Sequence, residues 1–261
     1  MTVAATAPSR TAVRRPVLAR AVAMRLAGTE YDRLLGQLRR LSAEDWQRPT
    51  DCAAWDVRAM AGHALGMVEM AASLRESMRQ MRVAKRRGGL FIDQLTALQV
   101  EEHEGLSTNE LLERFAVTAP KAARARARTP ALVRNRTMPE EQPVDSGTRF
   151  EPWTFGYLLD VILTRDPWMH RIDICRAVGR EPELTADHDG VLVADVAGEW
   201  AQRHAQPCTL TLTGPAGGTW SWGSGGPALE LDAVEFCRLL AGRGDLPDID
   251  GHDLLATPVP F

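Results

Sequence analysis

The sequence predicts an α+β protein in which a helical bundle precedes a smaller α/β domain. Apolar residues at helical spacing dominate up to about Gly179, and alternating, turn-rich segments typical of strands follow it. The length of 261 residues suits one large or two modest domains. We therefore expect a first domain over residues 1–180, whose first ten or so residues are mobile, and a second domain over 181–261.

The first helices are predicted from leucine spacing and capping residues. Leucines recur at helical intervals over 30–41, and Ser42 followed by Asp45 is typical of a cap for a short helical turn. Asp56 is expected to cap the next helix, because its side chain can accept a hydrogen bond from a free N–H of the first turn. The pattern predicts one helix that continues from there to about Gln80.

Two more helices follow before a loop. The segment 91–102 predicts a short helix, and Ser107 with Glu110 forms a capping-box pattern that opens a longer one. The arginines toward the end of that helix and beyond it are expected to lie mainly on a solvated face. They are Arg124, Arg126, Arg128, Arg134 and Arg136.

The last long helix of the first domain is predicted to start near Pro152 and to end before Gly179. Pro167 lies inside it and has no N–H to donate. Two outcomes are open. The helix bends at this point, or Asp166 closes one helix and Pro167 opens the next.

The remaining chain predicts a mixed domain. Residues 208–213 alternate in polarity, and a glycine-rich turn leads from them to 219–222, which together predict a hairpin. Residues 228–231 predict a further strand. Helices are expected over 187–203 and 232–242.

Composition and charge narrow the classes of function. The net charge of −3 argues against a general nucleic-acid binder, which needs a basic excess. No apolar stretch is long enough for a secretory signal or a membrane span, so we expect no membrane partner. The four cysteines are scattered without a Cys-x-x-Cys pair, which favours a reducing cytoplasm.

A histidine and carboxylates continue what should be a buried helical stripe. Asp166 and His170 stand four residues apart and share a face, and Asp173 follows on it. Buried charges cost free energy unless something satisfies them, and a metal ion would do so. His63, in a helix that is apolar nearly all round, is the best third ligand. A buried Asp–His–Asp network that only fixes helix register would give the same pattern.

Other residues near this stripe are weaker candidates. Asp173 would orient His170 or Arg171, or else form an ion pair on the helix surface. Arg58 and Arg171 could bind a substrate carboxylate, although structural roles are commoner. Nothing marks Cys52 as a reactive thiolate. The remaining histidines are expected at the surface or in loops, and they are His103, His188, His204 and His252.

Three segments resemble one family. Residues 45–58 followed by His63, and Asp166-x-x-x-His170 with Asp173, resemble the signatures of the mycothiol-dependent maleylpyruvate isomerase family in the DinB-like superfamily. Residues 232–243 resemble its second, sterol-carrier-protein-like domain. The resemblance implies a four-helix bundle in which His63, Asp166 and His170 hold a divalent metal, with zinc expected. Aspartate stands here where the isomerase has glutamate.

The resemblance also implies an activity. The metal would keep an open position for the thiol mycothiol, whose thiolate attacks a small electrophile. Addition to an activated alkene followed by expulsion gives cis-trans isomerisation, and retention of the adduct gives S-transfer. Two alternatives stay open at this point. One is a metal-dependent hydrolase, and the other is a non-catalytic module that binds a small molecule.

Overall fold

The structure is a computed structural model that describes residues 12–145 and 147–261. The segment expected to be mobile, the first ten residues, lies outside the described residues. The α+β prediction is confirmed, since a helical part precedes a small sheet with its own helices. None of the helices in the described ranges combines the length and the apolar character that crossing a bilayer requires.

The first part of the chain is helical apart from a short two-stranded ribbon. Its helices are α1 (Arg20–Leu38), α2 (Val57–Ala72), α3 (Leu74–Arg87), α4 (Phe91–His103), α5 (Thr108–Arg128), α6 (Ala131–Arg134), α7 (Phe155–Tyr157) and α8 (Leu163–Ala177). A 3₁₀ turn (Asp45–Gln47) and a π-helical segment (Leu158–Ile162) complete the helical structure, and β1 (Gln142–Pro143) pairs antiparallel with β2 (Phe150–Glu151). Helices α1, α5, α2 and α8 contact one another in that cyclic order and form a four-helix bundle.

The helix caps follow the sequence closely, with one correction. Asp56 accepts from the Ala59 N–H at 2.7 Å, as predicted, and Ser107 forms the predicted capping box. The single helix expected to reach about Gln80 is wrong, because Ser73 interrupts it. Ser73 has an extended backbone (φ −143°), and its side chain caps α3. Serine competes with the helix for backbone hydrogen bonds and so favours a cap over a helix interior.

The second part carries a three-stranded sheet. It comprises α9 (Asp189–His204), β3 (Cys208–Thr213), β4 (Gly218–Trp222), β5 (Ala228–Asp232), α10 (Ala233–Leu240) and α11 (His252–Leu255). The predicted hairpin is confirmed, since β3 and β4 pair antiparallel. The strand order is β4-β3-β5, and β3 and β5 run parallel. Asp232 caps α10 through the N–H groups of Val234 and Glu235, as expected.

One apolar core connects the two parts. Leu26 of α1 and Trp168 of α8 belong to the same buried cluster as Trp200 of α9 and Phe236 of α10. A second cluster fills the bundle between α1, α2, α5 and α8. The second part therefore packs directly against the two helices α1 and α8. The division at residue 180 stays a prediction.

Two histidines expected at the surface are buried. His103 is paired with Glu69 at 3.1 Å, and His188 is paired with Glu30 at 2.8 Å. Each carboxylate lies on another helix, so the spacing of the histidines along the chain gave no sign of a partner. Both ring nitrogens of His103 have partners, since its Nδ1 lies 2.6 Å from the Gln99 carbonyl oxygen. The Nδ1 atom of the buried His188 has no hydrogen-bond partner among the described residues.

Candidate metal centre

The structure brings the three predicted ligands together where α2 meets α8. The Nε2 atoms of His63 and His170 lie 3.3 and 3.4 Å from Oδ1 of Asp166. One ligand atom from each of the three residues lies within 4.8 Å of the others. The two imidazoles are buried, whereas the Asp166 side chain is 14% exposed. The cluster is therefore accessible on the side of its carboxylate.

Arg126 supports α8 beside the cluster. Pro167 provides no N–H for the Leu163 carbonyl, and Arg126 donates to that oxygen at 2.9 Å through Nη1. Its Nε donates to the Leu159 carbonyl in the π-helical segment at 2.8 Å. The helix runs through Pro167 and keeps Asp166 and His170 one turn apart. The prediction that the arginines toward the end of α5 and beyond it lie on a solvated face is wrong for two of them. Arg126 is 0% exposed, and Arg134 is buried and pairs with Asp160.

Both nitrogens of each histidine face hydrogen-bond acceptors. Nδ1 of His63 lies 2.9 Å from Oε1 of Gln99, and Nδ1 of His170 lies 3.4 Å from Oδ2 of Asp173. A neutral imidazole has one N–H and one lone pair, so it can match only one acceptor. The other carboxylate oxygen of Asp166, Oδ2, is buried and has no hydrogen-bond partner among the described residues. A cation among the two Nε2 atoms and the Asp166 carboxylate would satisfy all three groups, so these residues fit a metal ion.

The electrostatics of the cluster also favour positive charge. Burial opposes the charged form of His170, but the carboxylates of Asp166 and Asp173 together outweigh it and raise the His170 pKa to about 9. Without a metal, a second proton on His170 therefore supplies the positive charge at neutral pH, and a metal ion would replace it. Burial likewise opposes ionisation of Asp166, yet the two histidines hold the pKa of Asp166 well below its usual range. The carboxylate is therefore ionised and available as a ligand at neutral pH.

A tryptophan and a cysteine border the cluster. The ring centroid of Trp55 lies 4.9 Å from that of His63 and 5.9 Å from that of His170. Cys52 lies within 4.8 Å of the ligand atoms of His170 and Asp173. Burial raises the pKa of the Cys52 thiol. A protonated thiol agrees with the expectation that Cys52 is not a reactive thiolate.

Arg58 and Arg171, the two arginines that could bind a substrate carboxylate, make contacts within the fold. Arg58 donates to backbone carbonyls at the end of α4 and in the loop after it. Arg171 is buried and pairs with Glu30 at 2.7 Å and with Asp189 at 2.6 Å. Glu30, Asp189 and His188 form a separate cluster whose ligand atoms are also close enough to hold a metal ion. Arg171 already neutralises it, so it needs no metal.

Asp173 lies next to His170, and Arg243 of the second part of the chain pairs with it. Its side chain is 0% exposed, which excludes the surface ion pair. Its carboxylate accepts from Arg243 Nε at 2.9 Å and lies next to His170. Arg243 and Gln99 are the residues that sequence reasoning missed. Arg243 ends the segment that resembles the family's second domain, but its approach to Asp173 depends on how the two parts pack.

Comparisons with known proteins agree with this architecture. Two uncharacterised proteins of Mycobacterium tuberculosis, Rv0036c of strain H37Rv and MT0041 of strain CDC 1551, are each 27% identical to the chain over 237 residues, which covers 85% of this chain and 85% of each relative. A crystal structure of the mycothiol-dependent maleylpyruvate isomerase shares the fold, with a TM-score of 0.56 and 14% identity over 87% of this chain and 90% of that one. A histidine-to-alanine mutant of that enzyme gives a TM-score of 0.53 at the same identity and coverage.

A family match covers more than half of the chain. The family described as mycothiol maleylpyruvate isomerase N-terminal domain matches residues 27–175, a range that begins within α1, ends at Cys175 of α8 and includes all three ligand candidates. The fold likeness extends beyond this range into the second part. The resemblance noted in the sequence is thereby confirmed, and the chain belongs to the mycothiol maleylpyruvate isomerase family.

Proposed function

We propose that the protein is a metal-dependent enzyme that uses mycothiol either to isomerise a small electrophile or to form a stable adduct in which mycothiol is joined to it through sulfur. His63, Asp166 and His170 hold the metal in this proposal, and zinc is the expected ion. The observation that carries it is the pair of imidazoles whose four nitrogens all face acceptors. Membership of the family supports the thiol and the isomerase chemistry.

The donor set suits a catalytic zinc ion. Two imidazole nitrogens and one carboxylate oxygen are common zinc ligands, and three protein ligands leave a position open. A metal bound there would supply a Lewis acid that lowers the pKa of a thiol. Asp166 is the most exposed of the three side chains, so the open position is expected on its side.

The surrounding residues of this chain orient the ligands and shape the site. Asp173 accepts a hydrogen bond from Nδ1 of His170, which turns Nε2 toward Asp166. Arg243 balances the charge of Asp173 and belongs to the second part of the chain. Trp55 lies against both imidazoles and restricts access of water to them.

The second part contributes to this centre through its arginines. Arg238 of α10 pairs with Asp51 at 2.6 Å, beside Cys52, while Arg243 reaches Asp173. We propose the domain division at residue 180, because the three-stranded sheet and α9 to α11 all follow it. The arginine contacts support a domain over 181–261 that covers the site of the domain over 1–180. The four cysteines are unpaired, which suits the cytoplasmic location we propose.

Titration of mycothiol into the zinc-loaded protein tests the proposal. The protein should be purified without a metal-affinity tag, and binding should be followed by calorimetry. Saturable binding that is lost in the metal-free form supports the thiol-using enzyme. A protein that binds metal but not mycothiol favours the metal-dependent hydrolase. A protein that takes up no metal favours the non-catalytic module that binds a small molecule.

A further inference from the structure

We propose that Gln99 and Gln80 are positioning residues for the metal centre. Together they fix the proton of His63 on Nδ1 and leave the lone pair of Nε2 facing Asp166. The inference rests on the proposed function, because it assigns these glutamines a role toward a metal held by His63. It extends the site from α2 and α8 to α3 and α4.

The orientation of Gln80 is fixed by the Gly66 carbonyl, which can only accept a hydrogen bond. Nε2 of Gln80 lies 3.2 Å from the Gly66 carbonyl and 3.0 Å from Oε1 of Glu76, so this end of the amide must be the NH₂ group. Its oxygen then faces Gln99, whose NH₂ donates to it at 2.8 Å. The oxygen of Gln99 is left to face Nδ1 of His63 at 2.9 Å. Nδ1 must therefore carry the proton.

Burial makes this polarity costly to reverse. Gln80 and Gln99 are both 0% exposed, so water does not compete for their amide groups. Turning the amide of Gln99 by 180° would place oxygen against oxygen at Gln80 and would shift the proton of a neutral His63 to Nε2. An unmatched buried polar group costs free energy, so the arrangement has one preferred direction.

The packing of α2 against α4 provides an independent observation. A Cβ atom added at Gly66 would lie 2.6 Å from both Cβ and Cγ of Gln99. The helix thus has a glycine at the position where the stem of Gln99 passes. Gly62 lies one turn earlier, where an added Cβ would lie 3.3 Å from Cβ of His103. These two glycines let α4 come close enough for a glutamine to reach His63.

Zinc affinity, measured by competition with a chromophoric chelator, tests the inference. Gln99→Leu keeps a similar volume but removes the acceptor, and we expect about 10–100-fold weaker zinc binding. Gln99→Glu keeps the acceptor at Nδ1 of His63 but places oxygen against oxygen at Gln80, so it should bind zinc more tightly than Gln99→Leu. Gln80→Leu acts only through Gln99 and should give a smaller loss.

Glu69→Gln is the matched control. It weakens another polar contact between α2 and α4, the Glu69–His103 pair, without touching His63. Its zinc affinity should equal that of the wild type. An equal loss in Glu69→Gln and Gln99→Leu would overturn the inference, because the effect would then come from helix packing in general.

A direct measurement on the wild type needs no variant. Nitrogen-15 NMR of histidine-labelled, zinc-loaded protein should show His63 protonated at Nδ1. Protonation at Nε2, or wild-type zinc affinity in folded Gln99→Leu, would overturn the positioning role while leaving the proposed function intact. A wild type that binds no zinc would overturn both.

Discussion

Asp166 and His63 are 103 residues apart in the sequence, yet Oδ1 of the aspartate lies 3.3 Å from Nε2 of the histidine. The two side chains come from α8 and α2, which are neighbours in the bundle. The closeness of a carboxylate and two buried imidazoles is the basis of the proposed metal centre.

Removing any one ligand should remove the metal. His63→Ala, Asp166→Ala and His170→Ala should each reduce bound zinc sharply, because two protein ligands hold the ion far less tightly than three. Elemental analysis measures the loss, and circular dichroism checks that the variants remain helical. His204→Ala, which changes a histidine of α9 outside the cluster, should keep its zinc. Unchanged zinc in any of the three variants removes that residue from the ligand set.

The carboxylate behind His170 should matter less than the ligands themselves. Asp173→Asn weakens the acceptor at Nδ1 of His170 and leaves Arg243 without its ion pair. We expect about 10-fold weaker zinc binding. The same chelator competition measures it, and Arg243→Gln should show a smaller change. Stronger zinc binding in Asp173→Asn would contradict the orienting role.

Arg126 should contribute to stability through the carbonyls that it satisfies. Arg126→Met leaves the buried Leu163 carbonyl and the partly buried Leu159 carbonyl without their side-chain donor, at a cost of about 2–5 kcal/mol in the free energy of unfolding. Arg128→Met, an exposed arginine of the same helix, should change it by less than about 0.5 kcal/mol. Urea denaturation measures both. Combining Arg126→Met with Pro167→Ala should reduce the loss, because alanine restores an N–H for the Leu163 carbonyl.

Gly66 should tolerate no side chain. Gly66→Ala puts a methyl group 2.6 Å from the stem of Gln99 and should cost about 1–3 kcal/mol by overpacking. The same change at Gly28 in α1, where an added Cβ meets nothing within 4 Å, should stabilise the protein by about 0.5–1 kcal/mol. Thermal unfolding compares the two. A neutral Gly66→Ala would mean that α2 and α4 are not as close as described.

The His103–Glu69 pair should make stability depend on pH. Burial lowers the pKa of His103, but the hydrogen bonds to Glu69 and to the Gln99 carbonyl, together with the charges of Glu69 and Glu102, outweigh it and raise the net pKa. A histidine with a raised pKa in the folded state stabilises it most below its unfolded value of about 6.5, and this stabilisation is lost as the pH rises through the folded pKa. Glu69→Gln should flatten this decline above neutral pH. Identical pH profiles of unfolding for the variant and the wild type would contradict the assignment.

Sequence reasoning identified the residues whose partners are local. The four-residue spacing of Asp166 and His170, the capping box at Ser107 and the alternation in β3 each depend on a few neighbouring residues. Gln99 and Arg126 were missed or misread because their partners lie on other helices. Hydrogen bonds to a distant imidazole or to a carbonyl beside a proline leave no periodic pattern in the chain.

X-ray absorption spectroscopy of protein purified without a metal-affinity tag tests the central claim most directly. The account predicts about one zinc ion per chain, with two imidazole nitrogens and further oxygen ligands, and no sulfur until mycothiol is added. A sulfur ligand in the absence of mycothiol would point to Cys52 and contradict the open site. A protein without metal would contradict the metal centre itself.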